Sequence, residues 1–276
     1  MRADRTPGAR IWAFAVWALV LFFVLNLAGL IATVVLDSIG THWFTTWVPA
    51  GWTGRWYGMV WNEFALPAIL IVTAEVVGAV VLLSGLIGVP AAYAMARRDF
   101  AGKRAAMLLF LLPLLVPPIT YGIPLATVLY QAHLAGTIWG VILANLVPSV
   151  PFVILIMIPF IEQIDPRVEA AARVFGAGTG RLFTQVLVPL LMPGILAALL
   201  LVLVRTIAMF ELTFLTTGPT SQTLVVALYY AVFAAGVRPQ QSIDAMAVVY
   251  MAATMIWLLV ALRFVNPTQI VGRSRS

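Results

Sequence analysis

The chain is 276 residues long, with 63% hydrophobic and 9% charged residues and no cysteine. Soluble domains carry roughly 25% charged residues, so this composition excludes an ordinary water-soluble fold and specifies an integral membrane protein. The missing cysteines exclude disulfides and thiolate metal sites, and the net charge of +6 reflects basic loops, a matter of topology and not of nucleic-acid binding.

A helix needs roughly 20 apolar residues to cross a bilayer. Windows of that kind lie near 11–36, 66–95, 105–130, 136–161, 190–216 and 245–265. They predict an all-α integral membrane chain, one domain over 1–276 with six transmembrane helices. The first window follows Arg2, Arg5 and Arg10, as a signal peptide would. Its apolar run is longer than a signal core of roughly 7 to 15 residues, so it is read as an uncleaved first helix.

After it, Asp37 to Glu63 carries Trp43, Trp47, Trp52, Trp56, Tyr57 and Trp61. Amphipathic rings favour the membrane–water boundary, which predicts an interfacial belt, with contact to an external partner as the alternative.

The second span contains Glu75. The third contains Pro113, Pro117, Pro118 and Pro124, with Tyr121 among them. On a continuous helix Pro113, Pro117, Thr120 and Pro124 fall within about 60° of one another. Carbonyls freed by proline must face protein or water, so this helix is expected to bend and face inward. The fourth span repeats the pattern with Pro148, Pro151 and Pro159 beside Asn145 and Ser149, and begins with the close-packing spacing Gly136 to Gly140. Tyr121, Asn145 and Ser149 are therefore pathway candidates.

The fifth span holds Arg205 and Glu211. A charge near the bilayer centre costs about 2.5 to 3.5 kcal/mol on insertion scales, so Glu75, Arg205 and Glu211 each need a partner or a watery cavity. Arg205 and Glu211 are about 120° out of phase on one helix and do not pair within it. They pair across helices or meet substrate, and the two carboxylates in the outer half suit a cation. A further apolar segment, 222–236, is too short to span and is placed as a re-entrant or interfacial helix on the outer side.

Lys and Arg in short loops set orientation. The N-terminus, the Arg97 to Arg104 segment, the 162–189 loop and the tail together carry thirteen basic residues; the opposite side carries Arg55 and Arg238. Both termini and the 162–189 loop are thus expected in the cytoplasm. Within that loop, Pro166 suits a helix start and Gly176 a turn, so two short helices hinged at Gly176 are predicted. His42 and His133 lie apart in outer loops without a carboxylate or thiol cluster, and no metal or catalytic site is expected.

The loop reads Ala170-Ala171-Ala172-Arg173-Val174-Phe175-Gly176, then Val186-Leu187-Val188-Pro189. It resembles the motif of binding-protein-dependent ABC importer permeases: Glu-Ala-Ala, three residues, Gly, nine residues, Ile, one residue, Leu-Pro. Ala171, Ala172, Gly176 and Pro189 stand at the family spacing, while Val186 and Val188 replace Ile and Leu. The motif's Glu position holds Ala170, and Glu169 sits one residue earlier, turned about 100° round the helix. Glu169 is open to two readings, an ionic role in the loop's docking or a solvated acid at the helix start.

The resemblance implies a type I ABC importer permease fold in a bacterial cytoplasmic (inner) membrane, with a coupling-helix loop that docks a separate ATPase. Arg167, Glu169, Ala171, Ala172, Phe175, Gly176 and Pro189 are the docking candidates it names. It also implies a second homologous permease subunit, two ATPase subunits that bind ATP and Mg, an outer solute-binding protein, and no cofactor or enzymatic chemistry in this chain. Phe214 to Pro219, Leu224, Tyr229 and Gly236 to Pro239 resemble the C-type permeases of spermidine/putrescine importers, which makes a polyamine-like solute the first expectation. Sugars or polyols, other amines and anions remain alternatives.

Gly176 to Arg181 is rich in glycine but lacks the Lys-Ser/Thr pair and preceding strand of a phosphate loop. A competing class, an ion-coupled secondary transporter, would use Glu75, Arg205 and Glu211. A membrane enzyme has no paired catalytic constellation here.

Overall fold

The computed structural model describes residues 7–43, 48–233 and 238–264. Arg2, Arg5, Trp47, Gly236, Val237, Arg273 and Arg275, with the ends of the 222–236 and 245–265 segments, lie outside the described residues.

Among the described residues eleven helices follow in order: α1 (Pro7–Ser38), α2 (Arg55–Glu63), α3 (Leu66–Arg97), α4 (Lys103–Leu115), α5 (Pro118–Gln131), α6 (Ile138–Glu162), α7 (Pro166–Val174), α8 (Thr179–Ala208), α9 (Glu211–Thr216), α10 (Leu224–Phe233) and α11 (Gln240–Phe264). Five are long and apolar enough to cross a membrane, and the bent pair α4–α5 makes a sixth if taken as one broken span.

The chain falls into two compact units. The first holds α1, α2 and the segment 231–249. In its Trp-rich stretch Trp56 is buried and its indole Nε1 donates to the Gly40 carbonyl at 2.7 Å, a packing role beyond the expected belt. Ser38 and Tyr57 share a hydrogen bond of 2.7 Å. Arg238 pairs with Glu63 at 2.6 Å and lies over the Phe64 ring. Trp52 and Trp61 remain exposed, as a belt requires.

The second unit covers 66–230 and 250–276, and its core is the packing of α3, α6 and α8 on one another. Val76, Val80, Ile154, Met157, Ile161, Leu187 and Leu191 are buried there. All three are continuous apolar helices with little amphipathic bias, as lipid on one side and protein on the other allow.

Two breaks interrupt spans. Between α4 and α5 the axis turns by 103°. Val116 and Pro117 are both extended (ψ 134° and 133°) because each precedes a proline. The one-face geometry expected for Pro113, Pro117, Thr120 and Pro124 assumed an unbroken helix and does not hold across this turn. The second break, at Met209, separates α8 from α9 and carries neither proline nor glycine. The Tyr250 hydroxyl donates to the Ile207 carbonyl beside it at 3.3 Å, satisfying a group the break frees.

The Gly136 to Gly140 spacing also serves a different contact from the helix pairing expected. A Cβ at Gly140 would meet the Leu134 carbonyl at 2.2 Å, and one at Gly218 would meet Gly136 at 2.8 Å. The glycines close a turn onto the segment after α9.

Candidate functional site

The loop between α6 and α8 is built from its caps. The Asp165 carboxylate accepts from the Arg167 backbone N–H at 2.8 Å and Pro166 takes the first helical position, so α7 starts where both residues favour a start. It ends before Gly176, whose φ of +84° suits a residue without Cβ. The second short helix expected after Gly176 is not separate. From Thr179 the chain is helical without interruption into the fifth span, passing through a six-residue π segment, Leu182–Leu187.

The docking candidates divide by exposure. Arg167, Ala171, Gly176 and Pro189 are exposed, and Ala172 packs partly against the core. Val174 and Phe175 are 85% and 92% exposed, an apolar tip on an otherwise polar loop. Glu169 is the opposite: only 8% exposed, it is no solvated acid. Its carboxylate pairs with Arg97 Nε at 2.8 Å and accepts from the Tyr93 hydroxyl at 2.6 Å. Arg97 also donates to the Ile164 carbonyl.

The pathway candidates form two groups. Glu75 lines an open groove of about 500 Å³ with Ala79, Thr137, Ile138, Trp139, Ile142 and Thr220. Tyr121 lies near the two span breaks within electrostatic reach of both Arg205 and Glu211, and its hydroxyl is buried without a partner among the described residues. Among the described residues neither Glu75 nor Glu211 forms an ion pair, and Arg205 stacks over the Phe152 ring at 5.2 Å in place of a carboxylate.

Asn145 and Ser149 join neither group. Both are buried. Asn145 Nδ2 donates to the Val141 carbonyl and to Thr213 Oγ1 at 3.1 Å, and the Ser149 hydroxyl donates to the Asn145 carbonyl. Asn145 thereby fastens α6 to α9, while the Ser149 bond stays within α6.

The sequence analysis did not single out Tyr93, Val174, Trp139, Phe210 or Tyr230; the last two join Phe214 and Tyr229, named there only for the family resemblance, in a ring cluster whose contacting centroids lie 4.9 to 6.1 Å apart. Arg97 was visible only as a topology charge. The four-residue spacing of Tyr93 and Arg97, one turn apart on one helix face, was the available signal.

The helical order and packing define a type I ABC importer permease fold. A solved bacterial ABC transporter that imports the acidic polysaccharide alginate superposes with a TM-score of 0.78 at 18% identity, over 95% of this chain and 99% of that one. A second solved structure, the alginate transporter with its alginate pentasaccharide-bound periplasmic protein, gives 0.69 at 15% identity over 91% and 93%.

The chain belongs to the family of binding-protein-dependent transport system inner membrane components, whose model matches residues 84–269. It is therefore a multi-pass inner-membrane permease subunit of an ABC importer. The putrescine transport system permease protein PotI of Escherichia coli strain K12 is 25% identical over 88% of this chain and 89% of its own length. The molybdate/tungstate permease protein WtpB of Thermococcus kodakarensis is 32% identical over 47% of this chain and 52% of its own.

Proposed function

We propose that this chain is one of two homologous permease subunits in an importer driven by two ATPase subunits, which bind ATP and Mg, and loaded by an outer solute-binding protein. The observation that carries the reading is the apolar tip of the loop after α7. A ring left 92% in water at Phe175 costs free energy unless another surface covers it. Motif and charge topology support a cytoplasmic position for that surface and for both termini. The ATPase takes the tip, and its closure moves α7 against the span core to alternate access. No reaction is catalysed in this chain.

For the solute, a polyamine-like cation is the first reading, supported by Glu75 in its groove with Trp139 and by Glu211, carboxylates without an ion pair among the described residues. Organic ammonium groups are held by such carboxylate and aromatic surfaces. An oxyanion is the second, favoured by Arg205, which has no carboxylate partner among the described residues.

The test is to purify the chain with neighbouring gene products and measure solute-stimulated ATP hydrolysis in liposomes. Solute accumulation by the chain alone, without ATP, rejects the proposal. Calorimetric titration of the cognate outer protein with putrescine, molybdate and a disaccharide identifies the solute class.

A further inference from the structure

We infer that Glu169 is a positioning residue that locks α7 to the end of α3, so that displacement of the docking helix becomes displacement of the second span. The inference rests on the reading that α7 docks an ATPase.

The one-residue offset of the carboxylate turns it away from the docking face and onto α3. There it meets Tyr93 and Arg97, one helical turn apart on the same face, at 2.6 and 2.8 Å. The Arg97 guanidinium also holds the Ile164 carbonyl, on the chain entering α7. The Tyr93 ring meets the Phe183 ring edge to face at 5.9 Å, inside the π segment that begins the fifth span. One node therefore ties α3, α7 and the base of α8.

Exposed ion pairs contribute little. This one is shielded, with side chains 15% and 10% exposed, and each charge has a further hydrogen bond, so removing one member strands the other. The carboxylate is consumed inside the subunit. It is accordingly unavailable to the ATPase, and its contribution is transmission.

The experiment uses the assembled importer in proteoliposomes and reads solute moved per ATP hydrolysed, together with ATPase retained on purification. Glu169→Gln should lower the ratio about tenfold, the scale of one charge-assisted hydrogen bond, while the ATPase stays bound and active. Arg97→Gln should do the same, and the double variant should be no worse than either single, as for two members of one contact. A wild-type ratio in Glu169→Gln, or a double variant whose loss is the product of the singles, overturns the inference.

Where either charge variant folds poorly, the cysteine-free chain allows a second arm. Arg97→Cys with Glu169→Cys should be uncoupled, and a short bis-maleimide linking the two thiols should restore the ratio in the same preparation. A linked form that stays uncoupled overturns the inference. Wild-type chain that retains no ATPase brings down the docking reading and this inference together. Normal ATPase retention with normal coupling in Glu169→Gln removes the inference alone.

Discussion

Phe175 and Gly176 sit side by side in the loop and fail in different ways when changed. Phe175 touches almost nothing in its own chain, so Phe175→Ser should leave thermal unfolding in detergent unchanged and sharply reduce ATPase co-purification. A lowered unfolding midpoint would show that the ring has an internal role. Gly176 faces open space but holds φ at +84°, where a side chain costs about 1 to 2 kcal/mol. Gly176→Arg should therefore insert into the membrane normally yet abolish uptake; normal uptake with stable expression would count against docking. The glycine was legible from its motif spacing. The buried state of Glu169 was not, because its partners stand on α3, more than seventy residues away in the chain.

At the scale of elements, the breaks in the spans differ in origin. Consecutive prolines at 117 and 118 force the backbone out of helix, and the bend could be read in advance, though not its 103° angle. Ala208-Met209-Phe210-Glu211 contains no helix breaker, so the α8–α9 break arises from packing: Leu212 and Thr213 of α9 are buried, and Thr213 meets Asn145. Asn145→Ala should cost about 1 to 2 kcal/mol, one buried hydrogen bond between membrane helices. It should appear as a lower unfolding midpoint with unchanged solute affinity. A changed KM at constant stability would return Asn145 to the pathway. From sequence, a buried amide beside prolines looks the same whether it faces a cavity or a neighbouring helix.

For the whole molecule, orientation and solute charge are the testable quantities. In the cysteine-free chain, Lys103→Cys should react with a membrane-impermeant maleimide only after the cells are permeabilised, whereas His133→Cys should react in intact cells. The reverse pattern would invert the topology. If the solute is a cation, Glu75→Gln and Glu211→Gln should each raise KM about tenfold, one lost charge contact, with less effect from Arg205→Gln. An oxyanion would reverse that order.

The sequence by itself determined the class of protein and the family motif of its loop, because hydrophobic length is a local property read by the bilayer one segment at a time and the motif is a local spacing. Helix–helix contacts are not local. That α7 is tied to α3 through Glu169, that Asn145 is spent on α9, and that Glu75 opens on a groove beside Trp139 were decided by tertiary structure. The loop after Glu162 accordingly has two parts: an apolar tip at Val174 and Phe175, and a buried carboxylate whose partners only the folded chain brings within 3 Å.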